Sequence, residues 1–265
     1  MISREILISL DFVILAFLGL LSGFSSAWLG AGGSVFIVPL LPFLSGLSAV
    51  HSLQVSLLLI VTISFINSIA FILQKLVLWG WFVKASFLSL SFAFLSGGIV
   101  SYLSSFQIRF ILWLFLLIIL LLPWLLSYIP LLKKKGFYLF SSLMGICSGL
   151  TGLGGGMILS PFLHESEMIP PKNIPALVSC IMFFVSGFSL LGQFSQTELF
   201  FASFSKNLFF YYILLLIPSF VGLFIGYFVN VQQKDIKLRR LLLRLAVVAV
   251  FLKMTIEIFI SKGQF

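Results

Sequence analysis

Two short glycine-rich runs are the parts of this sequence best suited to binding chemistry. Residues 30–33 read GAGG and residues 152–156 read GLGGG, and both runs lie within strongly apolar sequence. Glycine destabilises a helix interior by roughly 0.5–1 kcal/mol relative to alanine, and lipid cannot satisfy the N–H and C=O groups that an interrupted helix leaves bare. Such interruptions are tolerated only inside the protein or beside a water-filled cavity. The two runs therefore predict two non-helical breaks that face a cavity.

The short apolar segments after the runs, residues 34–41 and 156–163, suggest what the breaks bind. A helix that begins there would direct its free N–H groups and its positive dipole end at the break. This arrangement suits a small anion and avoids a charged side chain, which is costly at membrane depth. The predicted anion-binding residues are the glycines and one adjacent serine: Gly30, Gly32, Gly33, Ser34, Gly152, Gly154, Gly155 and Gly156.

Several polar residues in neighbouring apolar segments are further candidates. Ser56 and Ser179 lie early in the helices that follow the breaks, where a hydroxyl could bind the anion or bond its own helix backbone. Asn67 could line the cavity or bridge two helices. Cys147 and Cys180 are weaker candidates, because free cysteine is a common small buried residue.

The remaining ionisable residues near the spans have simpler interpretations. His51 and His164 follow the two half-helices, where a proton relay is open but surface placement is favoured. Lys253 and Glu257 are four residues apart in the last span and could neutralise each other near a helix end. The two cysteines give neither a disulfide framework nor metal-site spacing, so we expect no metal and no cofactor.

The composition indicates the class of protein that positions these residues. Hydrophobic residues make up 61 % of the 265 residues and charged residues 9 %, against about 45–50 % and about 25 % in soluble domains. The chain is therefore predicted to be an all-α polytopic membrane protein. The net charge of +9 comes from basic residues at the ends of apolar runs, which indicates membrane anchors and not nucleic-acid binding.

The apolar stretches give the expected number of spans. About 20 apolar residues are needed to cross the hydrocarbon core, and eight stretches qualify: 7–29, 50–73, 81–103, 107–127, 137–160, 173–194, 208–230 and 239–260. Segment 33–46 is about half as long and is predicted to be a half-helix. The pairs Gly19/Gly23, Gly145/Gly149 and Gly222/Gly226 have GxxxG spacing, which predicts close contact between helices.

A duplication divides the chain into two halves. A shift of 122 residues places GFSSAWLGAGGSVFIVPLL (23–41) over GICSGLTGLGGGMILSPFL (145–163), with five coincident glycines and prolines. This predicts two repeats of four spans, 1–132 and 133–265, each with a glycine-broken helix and a half-helix. Aligning Ser56 with Ser179 needs one extra residue in the second half. Four crossings per repeat would make the halves parallel, and a full crossing by 33–46 would invert them. Both topologies stay open.

The membrane orientation also stays open in the sequence. With eight spans, eight basic residues fall on one face and seven on the other, so the Lys/Arg asymmetry gives no decision.

The tandem glycine motif resembles that of the sulfite exporter TauE/SafE family of membrane transporters. The residues that carry the resemblance are GLLSGFSSAWLGAGGSVFIVPLL and GICSGLTGLGGGMILSPFL, supported by the serine-bearing helices that follow, by LWGW and by FVGLFIGYF. The resemblance covers nearly the whole chain. It implies transport of small sulfur-containing anions such as sulfite, thiosulfate or sulfoacetate-type compounds.

These observations predict a secondary transporter with a small anion bound between its repeats near the midplane. We expect a multi-pass protein of the plasma membrane, typically a bacterial inner membrane. Its expected partner is the lipid bilayer, and the sequence leaves open whether the protein forms a homo-oligomer. An enzyme is not expected. The alternatives are a permease for another small solute or a metal cation, an intramembrane enzyme, or a scaffold. The cation permease and the enzyme are disfavoured because the spans hold few acidic residues, histidines and thiols. The scaffold is disfavoured because it would need no tandem broken helices.

Overall fold

A computed structural model describes residues 2–29, 33–129, 136–195, 206–232, 241, 245 and 247–256. These residues form α-helices and short connections, and no strand occurs among them. The helices are α1 (Ile2–Leu29), α2 (Ser34–Ser45), α3 (Ala49–Leu73), α4 (Trp79–Val100), α5 (Ser105–Tyr128), α6 (Phe137–Thr151), α7 (Gly156–Ser166), α8 (Ile174–Ser195), α9 (Lys206–Gln232) and α10 (Val247–Ile256). A 3₁₀ turn, Pro171–Asn173, leads into α8.

The length and apolar character of these helices make the chain a multi-pass membrane protein. In the described part, five stretches are long and apolar enough to cross a bilayer: Ala49–Leu73, Trp79–Val100, Ser105–Leu122, Pro171–Ser195 and Leu208–Val229. Shorter apolar helices cover Phe12–Trp28, Phe137–Thr151 and Val247–Ile256. The prediction of an all-α polytopic membrane protein is confirmed, with five helices of crossing length in the described part.

The second glycine run interrupts a helix, as its composition predicts. Helix α6 ends at Thr151, and Gly152, Gly154 and Gly155 adopt left-handed backbone angles with φ of 66°, 66° and 69°. Residues with a Cβ rarely adopt this conformation, so a right-handed helix cannot continue through it. Stretch 137–160, predicted as one span, is therefore two helices with a break between them.

The first glycine run ends in the same way. Gly33 has φ 63° and directly precedes α2, while residues 30–32, with the predicted site residues Gly30 and Gly32, lie outside the described residues. Helix α2 has 12 residues, a length of about 18 Å at 1.5 Å per residue. The predicted half-helix at 33–46 is confirmed.

Small residues bring α1 and α9 together in parallel. A Cβ on Gly19 would lie 2.5 Å from the Leu215 carbonyl oxygen, and a Cβ on Gly23 would lie 1.9 Å from the Ser219 carbonyl oxygen. The GxxxG prediction is confirmed here, because only glycine permits so close an approach. The positions rise together along both helices, so the two helices run in the same direction.

The same contact recurs between α4 and α6. A Cβ on Gly145 would lie 2.2 Å from the Ser89 carbonyl oxygen, and one on Gly149 would lie 2.5 Å from the Gly97 nitrogen. Helices α4 and α6 are therefore parallel. Since the short turn at residues 74–78 reverses the chain between α3 and α4, α6 runs opposite to α3.

Helices α3 and α8 cross the centre in opposite directions. The rings of Phe65 and Phe183 lie 5.3 Å apart, and Asn173, at the start of α8, donates to the Leu76 carbonyl oxygen beyond the end of α3. Helices α3 and α1 run in the same direction, because Asn67, late in α3, donates a hydrogen bond to Ser26, late in α1. It follows that α1 and α6, the two helices that end at glycine breaks, run in opposite directions.

The half-helices fold back along the helices that precede them. A Cβ on Gly33 would lie 2.1 Å from the Ser22 carbonyl oxygen, and a Cβ on Gly155 would lie 2.2 Å from that of Met144. Each pair of helix and half-helix therefore enters from one end of the bundle and returns toward it, so the half-helix 33–46 does not cross fully. The carbonyl of Ser45, at the end of α2, accepts a hydrogen bond from Tyr211 near the start of α9.

Two ends of the bundle are thereby defined. The first end holds the starts of α1, α3, α5 and α9, and the second end holds the finish of α3 and the starts of α4, α6 and α8. The ring contact of Trp81 with Phe137, at 4.9 Å between centroids, joins the starts of α4 and α6 at the second end.

Candidate functional site

The second glycine break lies between α3 and α8, with Gly154 beside the middle of each helix. A Cβ on Gly154 would lie 2.8 Å from Met182 Cε and 3.0 Å from Ile60 Cγ2. Ile60 is near the middle of α3 and Met182 near the middle of α8. The break is fully buried, so its backbone groups are held within protein and not against lipid, as hydrocarbon requires.

Both half-helices begin without a capping side chain. The N-cap residues are Gly33 for α2 and Gly155 for α7. At neither position does a side chain cap the first N–H groups of the helix. The first helical bond into α7 is donated by the Ile158 nitrogen to the Gly155 carbonyl oxygen at 3.0 Å. The N–H groups before it sit at the positive end of the helix, where an anion is stabilised.

Gly156 begins α7 and is buried within this positive end. Its counterpart in the first half is Ser34, which begins α2. The side chain of Ser34 lies outside what the structure describes. The four predicted glycines of the second run thus form one continuous buried segment, and of the first run the described part is Gly33 and the Ser34 backbone.

Ser56 holds the second break from the opposite half of the chain. Its hydroxyl donates to the Gly152 carbonyl oxygen at 3.1 Å, and the contact is fully buried. Among the described residues its partner is the backbone of the break and not its own helix. Ser56 positions the break, because the C-cap carbonyl of α6 would otherwise lack this donor.

Ser179 is 1 % exposed and lies three residues before Met182 on α8. This places it within one helical turn of the residue that contacts Gly154.

Asn67 bridges α3 and α1, which is one of its two predicted roles. Its Nδ2 donates to Ser26 Oγ at 3.1 Å, and Ser189 Oγ donates to Ser148 Oγ at 3.0 Å. The two bonds are related by the 122-residue offset of the glycine motif. The Asn67 Oδ1 atom is buried and has no partner among the described residues.

This offset corrects the alignment of the two serine-bearing helices. Asn67 corresponds to Ser189, and Ser64 corresponds to Ser186, with no inserted residue; the latter two hydroxyls are both buried without a partner in the described part of the chain. An insertion would rotate the helix by about 100° and separate these pairs. Ser56 therefore corresponds to Val178, and Ser56 and Ser179 are not equivalent.

Two polar side chains beside the first break are absent from the sequence prediction. Ser22 is fully buried, and its Oγ would lie 2.5 Å from a Cβ on Gly33. Trp28 is 4 % exposed and lies one residue before the end of α1. Neither Ser22 Oγ nor Trp28 Nε1 has a hydrogen-bond partner among the residues described. The repeat comparison conceals Ser22, because its counterpart Met144 is apolar; only the chain reversal brings it to Gly33.

The two cysteines are buried and unpaired as thiols. Cys147 Sγ lies 3.3 Å from Thr151 Oγ1, which also donates to the Cys147 carbonyl oxygen. Cys180 belongs to a small apolar cluster with Phe71 and Val77. No group of three or more His, Cys, Asp or Glu side chains suited to a metal ion occurs in the described residues.

The ionisable residues near the half-helices differ from the sequence prediction. His51 Nδ1 lies 2.9 Å from Ser48 Oγ at the start of α3, but His164 is only 7 % exposed. Surface placement is therefore wrong for His164, because α7 returns within the protein. Lys253 Nζ donates to the Pro39 carbonyl oxygen at 2.9 Å; its predicted partner, Glu257, lies outside the described residues.

Comparison with known proteins adds one finding. The family described as Sulfite exporter TauE/SafE has a model that matches residues 15–254, which is nearly the whole chain. Among curated proteins and among solved structures, no significant match is found.

Proposed function

The chain belongs to the sulfite exporter TauE/SafE family, and from this premise we propose that it is a secondary transporter of a small sulfur-containing oxyanion. The family consists of membrane transporters, which agrees with the apolar multi-helix fold. The finer parts of the proposal are the anion, its binding site between the half-helices, and a location in the plasma membrane.

The single observation that carries the proposal is the position of the second break. Gly154 lies between the middle of α3 and the middle of α8, beside the uncapped start of α7. A helix N-terminus presents N–H donors and about half a positive charge, and a low-dielectric surrounding strengthens both. A small anion fits this environment, whereas a metal cation would be repelled by it.

Two inverted repeats would provide a second, equivalent half of the site. Helices α1 to α5 and α6 to α10 correspond under the proposal, in line with the predicted division at 132/133, and α1 and α6 run in opposite directions. Gly33 contacts Ser22 as Gly155 contacts Met144, at the same 122-residue offset. Inverted repeats of this kind bind substrate between half-helices and expose it alternately to the two sides.

The distribution of basic residues gives the orientation under this topology. Lys75, Lys84 and Lys172 lie at the second end, and Arg4, Arg109, Lys206 and Lys253 lie at the first. The chain segment between α5 and α6 joins helix ends at the second end and has the sequence IPLLKKK. The sequence after α9, QKDIKLRR, also follows a helix that finishes there. Since cytoplasmic loops are enriched in Lys and Arg, the second end is the cytoplasmic side.

The test is uptake by purified protein in liposomes. Sulfite, thiosulfate, sulfate and an organosulfonate are offered separately, with chloride and a divalent cation as comparison solutes. We expect at least one sulfur anion to be taken up and the cation to be excluded. Gly154→Leu should abolish uptake, while Gly187→Leu, at a helical glycine with nothing within 4 Å of its Cβ position, should not. Uptake of none of the anions, or equal uptake by the Gly154 variant, would refute the proposal.

A further inference from the structure

A cavity of about 320 Å³ lies at the first end of the bundle. It is open on one side and is lined by the middle of α2, the starts of α3 and α5, and the end of α10. The lining residues include Pro39, Pro42, Ala49, Leu53, Arg109 and Met254. A cavity of this volume can hold a small anion with part of its hydration shell. It is separate from the glycine break, which lies deeper along α3.

Positive charge faces this cavity. Arg109 lines it from the second turn of α5 and is half-buried. Lys253 Nζ lies 2.9 Å from the carbonyl oxygen of Pro39, another lining residue. An arginine presents a planar set of donors that matches an oxyanion, and a concave, partly apolar wall concentrates its field.

The described acidic side chains are remote from it. Glu165 and Glu167 belong to the end of α7 and the connection to α8, at the second end. The length of α3, 25 residues, separates the two ends by roughly 37 Å, which is several times the Debye length at physiological salt. Among the side chains that the structure describes, Arg109 and Lys253 are therefore the charged groups at this cavity.

The other end has a different chemistry at the corresponding place. A cavity of about 370 Å³ there is lined by Leu163, His164, Glu167 and Ile174, among others. His164 occupies the position of Pro42 at the 122-residue offset. The charged residue among those that line this cavity is Glu167, whereas the first cavity has Arg109. The two cavities thus differ in the charge of their lining residues, although the helices that form them correspond under the proposed repeats.

Leu53 contacts both the Arg109 cavity and the second break. Leu53 is fully buried and forms an inner wall of the cavity. Its Cδ2 would lie 2.8 Å from a Cβ on Gly152, and its Cα 3.2 Å. One helical turn further along α3, Ser56 bonds to the Gly152 carbonyl oxygen.

We propose that this cavity is an anion-binding vestibule, in which Arg109 binds a small oxyanion from the first end and Leu53 gates its passage to the glycine break. The proposal rests on the proposed transport of an anion for its physiological role. Anion binding at Arg109 rests on the cavity and its charge alone. The vestibule and the transport proposal can therefore be refuted independently.

The first experiment measures the side-dependence of transport. In liposomes with oriented protein, Arg109→Gln is expected to raise the apparent KM for sulfite or sulfate applied at the first end about tenfold, since a charge-assisted hydrogen bond is lost. Arg109→Lys should restore most of it, and the KM from the second end should not change. Lys172→Gln, at an exposed lysine of the second end, is the control. An unchanged KM, or an equal loss from both ends without rescue by lysine, would overturn the vestibule.

A second experiment separates this inference from the transport proposal. Purified protein in detergent is titrated with sulfite and sulfate, and its thermal stability is followed. Stabilisation of the wild type that is weakened by Arg109→Gln supports the vestibule even if no anion crosses liposomes. Stabilisation that is identical in both proteins refutes it even if transport is found.

A third experiment tests the gate. Ser56→Cys is combined with Leu53→Ala or, as a control, with Leu59→Ala, an equally buried leucine of α3 that does not line the cavity. An anionic sulfonate-bearing thiol reagent is added from the first end. Modification is expected to be at least tenfold faster with Leu53→Ala than with Leu59→Ala. Equal rates in the two backgrounds would show that Leu53 is not the barrier.

Discussion

The hydroxyl of Ser56 donates a hydrogen bond to the carbonyl oxygen of Gly152 across a separation of 96 residues. One residue belongs to a long helix of the first half and the other to the glycine break of the second. The backbone of the break is therefore fixed by a helix of the opposite half, and Leu53 and Ile60 of the same helix contact Gly152 and Gly154. Movement of α3 relative to α6 and α7 would change the break directly.

Loss of this bond should lower stability. Ser56→Ala removes the donor and leaves a buried carbonyl oxygen without it, which costs about 1–3 kcal/mol. We expect a lower thermal unfolding temperature in detergent than for Ser91→Ala, because the exposed Ser91 hydroxyl bonds its own helix at the Phe87 carbonyl oxygen. Equal unfolding temperatures for the two variants would contradict a positioning role for Ser56.

The left-handed glycines allow backbone strain to be separated from steric contact. Gly155→Ala and Gly46→Ala both force alanine into φ near +65–70°, at about 1–2 kcal/mol each. The Cβ on Gly155 would also lie 2.2 Å from the Met144 carbonyl oxygen, whereas nothing lies within 4 Å at Gly46. Gly155→Ala should therefore lose folded yield and transport, measured by size-exclusion profile and uptake. Similar behaviour of the two variants would show that contact with Met144 is unimportant.

Ser22 should affect anion affinity without affecting stability. Its buried hydroxyl has no partner in the described residues, so Ser22→Ala removes no internal hydrogen bond. We expect a severalfold higher KM for the transported anion and an unchanged unfolding temperature.

The matched variant for Ser22 is Ser219→Ala. The Ser219 hydroxyl donates to the Gly19 and Leu215 carbonyl oxygens in the α1–α9 contact, so this variant should lower stability by about 1 kcal/mol and leave KM unchanged. A KM for Ser22→Ala that equals the wild-type value would remove Ser22 from the anion site.

The orientation can be tested with single cysteines. Ser101 is exposed at the first end and Lys172 is exposed at the second. In intact cells, Ser101→Cys should react with an impermeant maleimide, and Lys172→Cys should react only after the membrane is permeabilised. Cys147 and Cys180 are 0 % and 3 % exposed, so the background should be low. The reverse labelling pattern would place the second end outside.

The sequence by itself determined the membrane class, the break at the second glycine run, the short half-helix and the GxxxG contacts. These follow from properties that act locally. Long apolar segments are stable in lipid, and glycine tolerates a left-handed backbone and permits close contact between helices. The tertiary structure decided that each half-helix turns back along its predecessor and that α1 and α6 run in opposite directions. It also decided that Ser56 meets Gly152, that Ser22 meets Gly33 and that Arg109 faces a cavity. Such contacts depend on where the chain reverses and which distant helices then meet, and the periodicity of a single helix carries no record of either.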